Sequence, residues 1–122
     1  MIAVARSEFA PDVGHIARGG MDPVVILRKY RERVNHVHFK DIGAGGQWAG
    51  MGRGTIDFPR IVSDLNKSGF EGWVMLEDEC AQAESDPDAC TVENGAYIRD
   101  VLTPLCSGAA DASAMAPQLD DQ

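Results

Sequence analysis

Basic residues are scarce in this chain. Lys and Arg number 11 against 19 Asp and Glu, so the formal net charge is -8 and the pI about 4.7. A nucleic-acid backbone recruits a basic surface, and this balance argues against one as a partner. Long apolar runs are also missing, since none approaches the roughly 20 residues of a membrane-spanning helix. The opening residues, Met1 to Arg6, place their charge after a short apolar stretch, which is not the order of a secretory signal peptide. Cysteine is limited to Cys80, Cys90 and Cys106, an odd number without CxxC spacing. They read as reduced thiols of a cytoplasmic protein. There is no internal repeat and no GxxxxGK[ST] phosphate loop. What remains, at 122 residues with 44% hydrophobic and 25% charged content, is one soluble domain or part of one.

The most informative stretch is Val34-Asn35-His36-Val37-His38-Phe39-Lys40-Asp41. Polar and apolar residues alternate with a period of two, the mark of a strand. His36, His38 and Lys40 share one face; Val37 and Phe39 share the other. Before it, Asp22-Pro23 is a helix start, with Asp as cap and Pro in the first turn. Leu27, Tyr30 and Val34 follow at helical spacing, which predicts a helix over 22–33. Residues 13–21 read as turn and loop after a short strand end at 8–12. Half of residues 43–54 are glycine, and no regular element is expected there. Asp57-Phe58-Pro59 opens a second helix with a stripe of Ile61, Val62 and Leu65, stopped at Gly69. The apolar run 72–77 suits a strand covered on both faces. A polar segment follows to Asp86, then a helix from Pro87 to about Cys106, and from Ser107 a polar tail expected to be disordered. Alternating strands and helices predict an α/β architecture with parallel strands and right-handed crossovers.

Asp12, His38 and Glu77 each stand at the carboxyl end of a strand, just before a loop. Neighbouring strands lie about 4.8 Å apart, so side chains at adjacent ends can converge. Two carboxylates and an imidazole suit a divalent ion such as Mn²⁺, Co²⁺, Mg²⁺ or Zn²⁺. A set of solvated polar strand ends is the plainer reading, and the spacing alone leaves both open. His15 either reaches the same pocket or caps a local turn. Lys40 either neutralises an anionic substrate or pairs with Asp41. His36 reads as a satisfied core histidine, and Trp73 and Met75 as core. The glycine-rich segment reads as a loop over the strand ends, with Trp48 as an apolar wall.

Five stretches, in order, carry a resemblance. They are Phe9-Ala10-Pro11-Asp12-Val13-Gly14-His15, Gly19-Gly20-Met21-Asp22-Pro23, residues 34–41, Gly52-Arg53-Gly54-Thr55-Ile56-Asp57-Phe58, and Gly69-Phe70-Glu71-Gly72-Trp73-Val74-Met75-Leu76-Glu77. Together they resemble the C-terminal part of a xylose isomerase-like (β/α)8 TIM barrel of the sugar phosphate isomerase/epimerase and inosose dehydratase group. The resemblance implies a partial barrel domain over 1–106, about three βα units. It also implies metal-dependent isomerase, epimerase or dehydratase chemistry on a small sugar, sugar phosphate or inosose. By resemblance, Asp12, His38 and Glu77 bind the metal and Glu77 is the acid/base. His15 faces the substrate, and Lys40 lies near it, as in dehydratase-like members. The family's first Glu ligand has no counterpart here, which implies weak metal binding and little turnover. The alternative is a non-catalytic half-barrel that assembles with a copy of itself or with a separate N-terminal half. A DNA-acting relative sharing the barrel would need a basic face and more ligands than three histidines allow.

Overall fold

The computed structural model describes residues 9–106. The expected polar tail at 107–122 and the first eight residues lie outside the described residues. A parallel sheet forms the centre. Strand β1 (His36–Phe39) pairs in parallel with β4 (Trp73–Leu76), with His38 opposite Met75. On the other side of β1, residues 9–12 run parallel through two isolated bridges, Phe9 to Val34 and Asp12 to His38. The spatial order is therefore 9–12, β1, β4. The parallel α/β alternation expected from the sequence is what the chain adopts.

Val37 and Phe39 are fully buried on one face of β1, as the period of two requires. They meet Phe58, Ile61 and Leu65 from helix α3 (Phe58–Lys67), whose Asp57 cap accepts the Arg60 N–H. Gly69 follows α3 with φ +76°, the left-handed turn that lets the chain reverse into β4. Helix α2 (Pro23–Lys29) starts under the Asp22 cap and adds Val24 and Leu27 to the same core. It ends earlier than the spacing predicts. Residues Arg31–Arg33 tighten into a 3-10 turn because Val34 must leave extended to meet Phe9.

Four expectations need correction. Residues 13–21 are not all loop, because Val13–Arg18 forms a short helix, α1, once Asp12 caps it through the His15 N–H at 3.0 Å. The glycine-rich segment contains a small antiparallel ladder between β2 (Asp41–Ile42) and β3 (Trp48–Ala49). The polar segment before Asp86 holds helix α4 (Ala81–Ser85), ahead of α5 (Pro87–Tyr97). Finally, β4 is not covered on both faces, and Trp73 and Met75 are not core. Trp73 is 75% exposed, and Val74, Met75 and Leu76 are exposed too. Among the described residues no strand lies beyond β4, so an apolar run built for a sheet interior is left at its edge.

Candidate active site at the strand ends

The carboxyl ends of the three parallel segments meet on one rim. Asp12 ends the first, His38 sits near the end of β1, and Glu77 follows β4. Their ligand-type atoms all lie within 4.8 Å of one another, and all three side chains are half-buried. His38 Nδ1 is 2.5 Å from Glu77 Oε1, and its Nε2 is 3.3 Å from Nε2 of His36. His36 is therefore not the satisfied core histidine expected. It is half-buried and stacks obliquely behind His38, with ring centres 5.2 Å apart, because residues two apart on a strand share a face.

Lys40 continues the same face, yet its side chain is almost wholly buried. Its ammonium pairs with Glu79, lies 3.9 Å from Glu77 Oε2, and sits 4.1 Å from the centre of the Trp48 ring. Trp48 also meets the His15 ring edge-on at 4.9 Å and the Arg18 guanidinium at 5.0 Å. The half-buried indole thus touches both the exposed His15 and the buried Lys40 beside the acidic cluster. Lys40 does not pair with Asp41. Asp41 is fully buried, and its carboxylate instead accepts four backbone N–H groups, from Ile42, Gly52, Gly54 and Ile56. That carboxylate staples the loop under the rim. A glycine is required at 54 because a Cβ there would collide with the Asp41 side chain and lie 2.5 Å from the Ile42 carbonyl.

Beside Glu77 the chain turns away. Asp78 accepts hydrogen bonds from the Cys90 thiol and the Asn94 amide, both at 2.8 Å, and from the Cys80 N–H at 2.9 Å. Burial pushes the Asp78 pKa up, but the bonds from Asn94, Cys80 and Cys90 outweigh it and hold the carboxyl below its usual range. The bond to Asp78, helped by burial, pushes the Cys90 thiol up to about 12. Glu79, Asp41 and this network were missed by sequence reasoning. Asp41, Asp78 and Glu79 were signalled only by their nearness to the strand ends, and Cys90 and Asn94, on α5, by nothing in the sequence.

The donor types fit a divalent cation. Asp12 and Glu77 offer carboxylate oxygens and His38 an imidazole nitrogen. Glu77 and Glu79 share the one Lys40 ammonium, and Asp12 adds a third carboxylate beside His38 and Glu77, so the rim carries excess negative charge that a cation would relieve.

Three parallel segments with outer helices and convergent donors at their carboxyl ends define a portion of an α/β barrel. The chain matches the xylose isomerase-like TIM barrel family over residues 4–101, and it belongs to that family. It is 32% identical to an inosose dehydratase of Clostridium tetani across 73% of this chain, and 33% identical to one of Lacticaseibacillus casei across 71%. The matched parts are 36% and 35% of those proteins, so the chain spans about a third of their length. Two solved structures share the fold. A probable 3-DHS dehydratase involved in petrobactin synthesis, from Bacillus anthracis, aligns with a TM-score of 0.57 at 20% identity, over 74% of this chain and 38% of that one. A D-tagatose 3-epimerase-like protein aligns with a TM-score of 0.53 at 20% identity, over 76% and 36%.

Proposed function

We propose that this chain carries the metal-binding rim of a dehydratase or isomerase/epimerase. Its substrate would be a small polyhydroxylated carbonyl compound, a sugar, sugar phosphate or inosose. The observation that carries the reading is the convergence of Asp12, His38 and Glu77 within 4.8 Å. The inosose dehydratase relatives favour the dehydratase side. Asp12, His38 and Glu77 would hold a divalent ion, Mn²⁺, Co²⁺, Mg²⁺ or Zn²⁺. When bound it would supply Lewis-acid stabilisation of negative charge developing on a substrate oxygen.

The chain's own residues divide the remaining work. Glu77 takes the proton from the carbon next to the carbonyl, because its second oxygen is free of His38 and faces Lys40 at 3.9 Å. The Lys40 ammonium balances the charge that appears on the substrate side. Trp48 keeps water from one side of the pocket and holds His15 toward the substrate. Three unpaired thiols, Cys80, Cys90 and Cys106, suit a reducing, cytoplasmic setting.

Solvent deuterium incorporation tests this reading even where net turnover is small. The full chain with Mn²⁺ and an inosose in heavy water should exchange the hydrogen next to the carbonyl. Glu77→Gln should abolish the exchange. Exchange no faster than in that variant would refute the assignment of Glu77. A three-donor set also implies weak affinity. Titration calorimetry should find Mn²⁺ binding without a tight stoichiometric site, and a tight one would overturn the expectation drawn from these three donors.

A second reading rests on β4. An apolar strand with Trp73 75% exposed and no neighbour beyond it is a pairing edge. On this reading the chain is a half-barrel module that assembles with a copy of itself or with a separate polypeptide. Light scattering at rising concentration tests self-assembly, and a strict monomer argues against it.

A further inference from the structure

The network that turns away from Glu77 has a donor set of its own. We propose that Asp78, Cys80 and Cys90 form a second metal site, selective for a soft-ligand ion such as Zn²⁺ and distinct from the Asp12–His38–Glu77 rim. One ligand atom from each of the three lies within 4.8 Å of the others. Zn–S bonds of about 2.3 Å and Zn–O bonds of about 2.1 Å put tetrahedral ligands roughly 3.5 Å apart, so rotamer adjustments of about an ångström close the set. Two thiolates favour Zn²⁺ over Mg²⁺ or Mn²⁺, whereas the rim offers only oxygen and imidazole.

The surroundings are prepared for this. Cys90 is buried on α5, 4% exposed, which fixes one sulfur. Cys80 stands at the N-cap of α4, but its side chain makes no capping bond and faces Asp78 and Cys90 instead. Asn94 donates to Asp78 through its amide at 2.8 Å, while its oxygen is bound by the Met51 N–H at 2.9 Å. That amide cannot turn over, so it fixes the carboxylate's orientation, as outer partners of metal ligands do. Asp78, Cys90 and Asn94, with Glu77 beside them, line a cleft of about 440 Å³, which gives an ion and a water access to two of the three ligands, Cys80 closing the set from outside its lining. Binding would release the two thiol protons and exchange the Cys90–Asp78 hydrogen bond for bonds to the ion. It would tie the segment after β4 to α5, and so anchor the backbone that carries Glu77.

Co²⁺ added to the reduced, metal-free full chain tests the proposal. Thiolate-to-cobalt charge-transfer absorption should grow to one equivalent and vanish when Zn²⁺ is added. Cys80→Ser and Cys90→Ser should each abolish it, His38→Ala should leave it intact, and Asn94→Ala should weaken binding about 10-fold. Cys80 is only half-buried, so its variant keeps the test meaningful if loss of the buried Cys90 thiol unfolds the chain. Absent charge transfer, a band that survives Cys80→Ser, or thiols that oxidise to a Cys80–Cys90 disulfide unprotected by Zn²⁺ would each overturn the proposal.

Discussion

Asp41→Asn isolates the loop-stapling carboxylate with almost no change in shape. Asp41 is fully buried. One oxygen accepts from Ile42 at 2.9 Å and Ile56 at 3.3 Å, the other from Gly52 and Gly54, both at 3.0 Å. An amide offers one oxygen in place of two. Whichever way it turns, two N–H groups lose their acceptor and face an NH₂ donor instead. Hydrogen bonds to a charged group contribute about 1.5–3 kcal/mol each, so two lost bonds set an upper figure of about 3–6 kcal/mol. Asn is cheaper to bury than a carboxylate, and the loop can relax toward water, which brings the expected loss to about 3 kcal/mol. That is a large part of the 5–15 kcal/mol that holds a typical domain together. Urea unfolding followed by tryptophan fluorescence should show the midpoint falling by about 1–2 M with the slope unchanged. Hydrogen exchange should report lost protection at Gly52, Gly54 and Ile56. Asp57→Ala, which removes only the cap of α3, is the control and should cost about 1 kcal/mol. A midpoint within about 0.3 M of the parent, with those amides still protected, would refute the argument.

Gly14→Ala should destabilise by about 1–3 kcal/mol, because its Cβ would lie 2.5 Å from the Lys40 carbonyl and force α1 away from β1; the urea midpoint reads it. Leu65→Ala, at a buried site of α3, should cost about 2–5 kcal/mol by the same assay. The hydrogen bond from Arg60, with the Val24 N–H next, holds the Asp22 carboxyl below its ordinary 3.8. A carboxyl depressed in the fold stabilises fully above 3.8 and loses that contribution as pH falls through its lowered value. Arg60→Gln should therefore flatten the acid limb of the stability–pH curve below about pH 4, modestly because both side chains are largely solvated, and an unchanged limb would count against it.

The rim was legible because two simple rules met there. A period of two put His36, His38 and Lys40 on one face, and helix–strand alternation made the strands parallel, so their carboxyl ends had to share a side. Local chemistry also exposed the helix starts, since Asp22-Pro23 and Asp57-Phe58-Pro59 satisfy the first turn's N–H groups whatever surrounds them. Asp12 doubles as the cap of α1, and that second role hid the helix it begins. Burial of β4 was misjudged for a different reason. Its apolar run says what the strand is suited to face, and whether that neighbour is present lies outside the run itself.

Glu77, Asp78 and Glu79 show where such rules stop. Three adjacent carboxylates leave β4 and go to three partners, Glu77 to His38, Asp78 to Cys90 and Asn94, Glu79 to Lys40. Within a strand, alternation would have assigned them to two faces. Past Leu76 the ladder ends, the backbone is free of its period, and each side chain turns to the donor that tertiary packing brings near. His38 arrives from β1, Cys90 and Asn94 from α5, and Lys40 from the pleat after His38. None is close in sequence. A glutamate-rich strand end can thus serve a rim, a thiol cluster and a buried ammonium at once, and the pairing of β1 with β4 together with the placement of α5 beside Asp78 decides which carboxylate serves which.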